Sequence, residues 1–149
     1  MTTSTNPRAH WISVLARAPL ANLAVAAESF GALPDHFWLR RPEIGLAMVR
    51  GRTGGTGAQF NLGDMTITRC ALRLHSGEMG VAYIAGRNNR HAELAALFDA
   101  LMQTDAQDRV ERVVLQPLEK LLAEKRNETL AQAQSTKVEF MTMVRGDNP

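Results

Sequence analysis

A glycine-rich segment between two runs that favour β-strands places the tightest restriction on the folds open to this chain. The eight residues from Arg50 to Gly57 contain four glycines and two arginines. Glycine permits positive φ and a close approach of backbone N–H groups to a ligand, and arginine offers a planar charged fork for oxyanions. The spacing matches neither a Walker P-loop nor Gly-x-Gly-x-x-Gly. Two interpretations stay open: a glycine-rich hairpin turn, and a loop that contacts an anion.

Strand-forming patterns lie on both sides of this segment, at residues 36–41, 44–52, 64–75 and 79–86. Threonine and β-branched residues are concentrated in the third. Because the connections are short, consecutive strands are expected to pair antiparallel as a meander. In the third strand Cys70, Leu72 and Leu74 share one face. Arg69 and Arg73 lie on the other, which therefore meets solvent or a group that supplies negative charge.

Helical periodicity surrounds the strands. Pro19 separates two N-terminal helices that should form a hairpin, and Gly31 is well placed to end the second. Asn88 or Asn89 can cap the next helix, and Pro117 is expected to kink or restart the last one. The predicted helices cover residues 10–18, 20–30, 90–103 and 107–134.

The end of the sequence alternates apolar and polar residues over 137–149, which predicts a strand paired with its own sheet or with a partner's edge. The expected fold is α+β, in one domain over residues 1–149. An antiparallel four-stranded meander, or a five-stranded one if the tail joins it, is flanked by an N-terminal helical hairpin and long C-terminal helices. Residues 1–9 are expected to be flexible, and 126–149, a helix end and a strand-like arm, to dock on a partner.

Charge is distributed unevenly along the chain. Between His36 and Arg90 there are eight arginines, no lysines and three acids, whereas residues 91–149 carry ten acids and seven bases. Arginine suits bidentate pairing with oxyanions, although arginine enrichment of a surface also follows from high genomic GC content.

No run reaches the roughly 18 apolar residues that span a bilayer, and the N-terminus lacks a secretory layout. We therefore expect a cytoplasmic protein with no membrane partner.

Residues suited to catalysis are sparse. Cys70 is the single cysteine, so a disulfide or a cysteine-ligated cluster within this chain is excluded, and a small core residue is the expected role. The four histidines are scattered without metal-ligand spacing. The residues therefore predict no catalytic group and no metal site.

Several sequence blocks, taken in their order along the chain, form a recognisable combination. The blocks are His10-Trp11, Gly45-Leu46, Arg50-x-Arg52-x-Gly54-Gly55-Thr56-Gly57, Phe60-x-x-Gly63-Asp64-Met65-Thr66-Ile67-Thr68-Arg69, Gly86-Arg87 and Phe140-Met141-Thr142-Met143-Val144-Arg145-Gly146-Asp147-Asn148. Together they resemble the PhnG family of carbon–phosphorus lyase subunits. The resemblance runs from about residue 10 to 148, and the chain departs from the family at Asn88, where aspartate is frequent.

The resemblance implies a non-catalytic or accessory subunit of a complex in organophosphonate catabolism. Such a complex transfers the ribose triphosphate moiety of ATP to a phosphonate and releases adenine. The implied partners are the I, H, J and L subunits, the I subunit most directly, with no nucleic acid. The implied substrates of the complex are ATP and a phosphonate. No cofactor is expected on this chain alone, and an iron–sulfur cluster and S-adenosylmethionine are expected only on a partner.

A nucleoside triphosphate and a phosphonate bring several negative charges into one cleft, which suggests a role for the basic middle of the chain. We expect a set of residues to face that cleft or a subunit boundary: Arg50, Arg52, Gly54, Gly55, Thr56, Gly57, Arg69 and Arg87. A purely architectural role for these arginines, in ion pairs with a partner, is the alternative. A stand-alone module that binds a phosphorylated metabolite or RNA is a second alternative of a different class.

Overall fold

The computed structural model describes the backbone of residues 6–143 and the side chains of residues 6–136. Its three strands form one antiparallel sheet in the order β1-β2-β3. In chain order the elements are α1 (Pro7–Arg17), α2 (Leu20–Phe30), β1 (His36–Arg52), a short 3₁₀ turn (Thr53–Gly55), β2 (Gln59–Leu74), β3 (Met79–Ala85), α3 (Asn89–Leu101), α4 (Gln107–Val110), a π-helical turn (Glu111–Leu115) and α5 (Gln116–Met143).

The two predicted N-terminal helices, separated by Pro19, are confirmed, but they pack mainly on other elements rather than on each other as a hairpin would. Helix α1 also begins earlier than the sequence suggested. The side chain of Asn6 accepts a hydrogen bond of 3.0 Å from the backbone N–H of Arg8, and Pro7 occupies the first helical position. Residues 7–9 of the segment expected to be flexible are therefore helical, and residues 1–5 lie outside the described part. Gly31 ends α2 with φ of +101°, a value that glycine adopts without strain.

The predicted four-stranded meander is corrected to three strands. The runs 36–41 and 44–52 form one continuous strand, β1, which crosses Pro42. The pairing register with β2 shifts between Arg40 and Glu43, so Pro42 lies at an irregularity, and β1 is an edge strand. Proline has no N–H to donate to a strand ladder, and it is accepted in sheets at edge strands and at such irregularities. The outer edge of β1 has no neighbouring strand within residues 6–143.

Helix α3 forms the centre of the molecule. It contacts β2 and β3 on one side and packs against α1 and α2 as well, and nearly every side chain from His91 to Leu101 is buried. The sheet face beneath it carries Cys70, Leu72 and Leu74, as the alternation predicted, and all three are buried. Among residues 6–143, no helix covers the opposite face of the sheet, and Arg73 and Tyr83 are exposed there.

A π-helical turn interrupts the C-terminal helical run just upstream of Pro117, and α5 restarts at Gln116, which is one of the two predicted outcomes. The N–H of Gln116 donates to the carbonyl of Glu111, five residues back. Val114 within the π-helical turn and Leu118 just after it are buried, whereas every residue from Ala123 to Thr136 is exposed. The end of α5 therefore projects from the core. Within residues 6–143, no helix combines the length and the apolar character that crossing a bilayer requires.

The predicted C-terminal strand is wrong over the part that is described, because α5 continues to Met143. No proline or glycine separates residues 137–143 from the preceding helix, so nothing in the local sequence ends it, and the short alternation there was misleading. Residues 144–149 of the predicted strand lie outside the described residues. A fifth strand is thus absent from residues 6–143.

Candidate functional site

The glycine-rich segment is the tip of a long two-stranded arm. We define the arm as residues 44–66, most of which extends beyond β3, because β3 pairs with β2 only from Ile67 to Arg73. Arg50 lies opposite Asn61, in the third residue pair from the turn, and Arg52 lies opposite Gln59, in the last pair before the turn. Both arginines are exposed. At about 3.3 Å per residue, the arm extends about 25 Å from Ile44 to Arg52.

The hairpin interpretation of the glycines is confirmed by the turn itself. Gly54 and Gly55 adopt φ of +61° and +83°, which side chains disfavour. The N–H of Gly57 donates to the carbonyl of Thr53 at 2.8 Å, and a Cβ on Gly57 would lie 2.6 Å from that oxygen. Thr56 and the two preceding glycines are exposed. Backbone geometry thus accounts for these glycines, and contact of this loop with an anion stays a prediction.

The two faces of the arm carry different side chains, because opposite residues of an antiparallel pair lie on the same face. One face continues the sheet face that packs on α3, and we call it the core-side face. It carries both tip arginines and Ile44, Leu46, Met48, Gln59, Asn61, Asp64 and Thr66. We call the opposite face the outer face. There, Leu62 and Phe60 lie over Gly51, since a Cβ on that glycine would be 3.0 Å and 3.4 Å from their side chains.

Arg69 is separated from the tip arginines in both distance and orientation. It lies opposite Glu43 on the outer face, eight residues along β2 from the partner of Arg50, or about 25 Å. Its Nε donates to Glu43 Oε1 at 2.7 Å, and Arg40 Nη1 donates to the same oxygen at 3.0 Å. Arg69 therefore has an acidic partner within its own chain.

Arg87 occupies a third location, in the turn between β3 and α3. The N–H of the preceding Gly86 donates to the carbonyl of Thr66 at 2.8 Å, so Arg87 lies near the base of the arm. The next residue, Asn88, caps α3 as predicted, because its side chain accepts from the N–H of His91 at 3.1 Å. Arg87 is exposed. Within the described residues, the eight predicted site residues thus occupy three places rather than one cleft.

The tip arginines differ from Arg69 in their electrostatic surroundings. Among residues 6–136, neither Arg50 nor Arg52 forms an ion pair. The polar contact of Arg52 is a long hydrogen bond of 3.5 Å to the carbonyl of Gly57. An exposed arginine without an acidic neighbour is available to carboxylate or phosphate oxygens from outside the chain.

The sequence interpretation missed a buried polar cluster around Asp99. This carboxylate is fully buried in α3 and accepts hydrogen bonds from three residues. Arg8 donates from Nε and Nη2 at 3.2 and 3.0 Å, Trp11 Nε1 donates at 2.8 Å, and the N–H of Val81 donates at 2.9 Å. The bond with Asp99 raises the pKa of Arg8. An aspartate within an otherwise apolar helical stripe was the available signal, and its role is to join α1, α3 and β3.

Cys70 is a core residue, as predicted. Its thiol is buried and donates to the carbonyl of Ala92 at 3.2 Å. Burial, with a smaller effect of the Glu93 carboxylate, raises the pKa of Cys70 to about 12. The thiolate needed for nucleophilic or metal-binding chemistry is therefore suppressed at neutral pH.

Comparison with known proteins identifies the family. A family model described as "Phosphonate metabolism protein PhnG" matches residues 6–146. The chain is also 42% identical over 142 residues to the alpha-D-ribose 1-methylphosphonate 5-triphosphate synthase subunit PhnG of Rhizobium meliloti (strain 1021). That match covers 95% of this chain and 90% of the relative. With the family model covering nearly the whole of an α+β chain that carries an arginine-tipped arm, this protein belongs to the PhnG family of phosphonate metabolism proteins.

Proposed function

We propose that this chain is an accessory subunit of a ribose 1-methylphosphonate 5-triphosphate synthase. The observation that carries the proposal is the 42% identity, over 95% of the chain, to a relative named as a subunit of that synthase. The complex would transfer the ribose triphosphate moiety of ATP to a phosphonate with release of adenine. ATP and the phosphonate are its substrates, and catalysis belongs to the assembly.

The shape of the chain supports a role inside an assembly. The arm and the end of α5 both project from the core, and their side chains are exposed over residues 123–136 and through most of 44–66. We propose the I, H, J and L subunits as partners, with the I subunit contacted most directly. On this proposal the iron–sulfur cluster and S-adenosylmethionine belong to a partner, and this chain holds no cofactor by itself.

The arginines of the chain are proposed to serve two different purposes. Arg50 and Arg52, with the loop from Gly54 to Gly57, face the substrate cleft or a subunit boundary from the arm tip. Arg69, which is held by Glu43, and Arg87 at the arm base contribute to the architecture around it. A charge-assisted hydrogen bond from an arginine is worth about 1.5–3 kcal/mol, equivalent to about 10- to 150-fold in affinity or rate.

Alanine variants of Arg52 and Arg69 in the intact complex distinguish substrate contact from architecture. Adenine release and the amount of each subunit that co-purifies are measured together, with Arg17→Ala on α1 as the control. A fall in turnover of about tenfold or more with unchanged assembly indicates substrate contact. Loss of co-purification indicates an architectural role.

Affinity purification of the chain with its natural partners tests the proposed function. We expect the other synthase subunits to co-purify and the assembly to release adenine from ATP when methylphosphonate is present. Deletion of the gene is expected to abolish growth on methylphosphonate as sole phosphorus source, and the restored gene to recover it. A chain that recovers no partner and whose deletion leaves growth unchanged contradicts the proposal.

The alternative function, a stand-alone module that binds a phosphorylated metabolite or RNA, rests on the unpaired arginines at the arm tip. Titration calorimetry of the isolated chain with ATP, methylphosphonate and a short RNA separates it from the accessory role. Micromolar binding by the purified monomer favours the module, and its absence favours the complex.

A further inference from the structure

Both faces of the arm carry exposed apolar side chains. On the core-side face Leu46 is 70% exposed and Met48 58%, and on the outer face Leu62 is 62% exposed and Phe60 45%. None of the residues from 43 to 66 is buried. An apolar side chain exposed singly is ordinary, but contiguous apolar patches mark interaction sites. Here two such patches lie back to back on a ribbon only two strands wide.

The free chain gives the arm little support. β3 reaches only as far as Ile67 along β2, and the pairing of β1 and β2 continues alone from there to the turn. An isolated two-stranded hairpin is marginally stable in water, and a covered apolar face is what usually stabilises it. Covering one face would leave the other in water, so the sequence of this arm suits a site that encloses both.

Charge decides what kind of protein can enclose it. The tip carries Arg50 and Arg52, and the base carries Arg40, Arg41 and Arg69 with Glu43, which already pairs with two of these arginines. A second copy of this chain, in either direction along the arm, would set arginines against arginines. A partner with carboxylates at these two positions would pair with them instead.

We propose that the arm inserts into a cleft of another subunit of the synthase, with apolar walls on both sides and carboxylates at its deep end and mouth. This inference rests on the proposed function and identifies the surface by which the chain joins the complex. Two flat faces of about 25 Å by about 10 Å expose about 500 Å² together, without the additional area of protruding side chains. That is a large share of the roughly 800 Å² that one protein contributes to a stable interface.

Single polar substitutions on the two faces test the inference in the complete complex. Leu46→Gln changes the core-side face and Leu62→Gln the outer face. Val25→Gln on α2 is the matched control, because Val25 has the same 62% exposure as Leu62. Each variant is co-expressed with the other synthase subunits, its association with them is measured after purification, and the thermal unfolding of each isolated variant verifies folding.

We expect Leu46→Gln and Leu62→Gln each to weaken association by about tenfold or more, with unchanged unfolding temperatures and a normal Val25→Gln control. An effect from one face alone would overturn the enclosed cleft, and equal weakening by Val25→Gln would overturn the specific role of the arm. Normal association of both arm variants would overturn docking through the arm and leave the proposed function standing. A wild-type chain that joins no complex would overturn both.

Occupation of the arm by a second copy is tested on the isolated chain. Sedimentation of the wild-type chain is expected to give a monomer at micromolar concentration. A dimer that Leu46→Gln or Leu62→Gln dissociates would overturn the inference. Trypsin adds a direct readout, since cleavage after Arg50 and Arg52 is expected in the free chain and at least tenfold slower in the complex.

Discussion

Asp99 is a fully buried carboxylate, and four donated hydrogen bonds compensate for the loss of its hydration. A buried charge without partners would be strongly unfavourable, so the donors and the acceptor depend on one another. The donors come from two elements that are far apart in sequence, α1 and β3, so the acceptor in α3 ties the position of α1 to that of β3. Strand alternation and helical periodicity carry no information about such long-range pairing. For that reason the hydrogen-bond partners of Asp99 could not be predicted from the sequence.

Replacement of Asp99 by asparagine is expected to lower the free energy of unfolding by about 2–3 kcal/mol, because the charge-assisted bonds from Arg8 are lost. Urea denaturation measures the change. The control is Arg90→Gln, which breaks an ion pair with Glu93 at the surface and should cost less than about 0.5 kcal/mol. An unchanged free energy of unfolding in the Asp99→Asn variant would show that the cluster contributes little to stability.

Cys70 is expected to resist thiol reagents in the native protein at pH 8, since the pKa of its thiol is raised to about 12. Labelling should proceed only as fast as the chain unfolds, and addition of denaturant should make it immediate. Ellman's reagent gives the rate. Rapid labelling of the folded chain would mean that the thiol is neither buried nor protonated as the structure indicates.

The same raised pKa gives a pH dependence of stability with a definite sign. The unfolded thiol, with a pKa of 9.0, loses its proton at lower pH than the folded one. The contribution of the protonated thiol to the free energy of unfolding is therefore fully present below pH 9. It decreases as the pH rises from 9 to 12, by at most about 1.4 kcal/mol per pH unit. Cys70→Ala should remove this part of the slope, and identical slopes for the two proteins would contradict the assignment.

At the scale of elements, some helix ends and the direction of strand pairing could be predicted, and the lengths of the elements could not. Gly31 and Asn88 mark helix boundaries through local chemistry that a sequence displays directly, whereas the start of α1 at Asn6 and Pro7 was missed. Pro42 was taken as a strand break because proline usually ends a ladder. Its position on an edge strand at a register shift depends on the neighbouring strand, which local sequence does not specify. The length of the arm was missed for the same reason.

Gly80 sets the distance between β3 and α3. A Cβ added there would lie 1.9 Å from the carbonyl oxygen of Ala96 and 3.0 Å from the Cβ of Ala100. Gly80→Ala is expected to lower the free energy of unfolding by at least about 3 kcal/mol, because the buried helix would have to move away from the sheet.

Gly45→Ala provides the matched comparison for Gly80. Its added Cβ would have its nearest neighbours at 3.9 Å, in the side chain of Arg69, and alanine loses less conformational entropy than glycine in a strand. We expect a change within about 0.5 kcal/mol by the same denaturation measurement. Similar costs for the two alanine variants would show that the approach of α3 to β3 does not depend on Gly80.

At the scale of the whole molecule, the family could be predicted from the order of the sequence blocks, while the arrangement of the site could not. The arginines that seemed to converge are spread over about 25 Å because they lie on a ribbon that leaves the core. Whether they meet a common ligand depends on surfaces that other chains supply. Sequence patterns within one chain do not contain that information.

Truncation after Lys125 is expected to leave the free energy of unfolding of the isolated chain within about 1 kcal/mol, because residues 126–136 are all exposed and an unpacked helix end contributes little. Co-purification with the other synthase subunits is expected to fall. Truncation after Leu115 is the destabilising control, since it removes the buried Leu118. A loss of more than about 2 kcal/mol on truncation after Lys125 would mean that the helix end packs on its own chain.

Within residues 6–143, no strand pairs with the outer edge of β1, so this edge presents a row of backbone donors and acceptors without a strand partner along 17 residues. Such a row is a template for any extended polypeptide that meets it. Molecules synthesised in excess of their companions would therefore be prone to precipitate or to be degraded. Overproduction of this chain by itself in bacteria is therefore expected to leave a larger insoluble fraction than co-expression with the proposed partner subunits, while the soluble remainder is the monomer that the measurements on the isolated chain require.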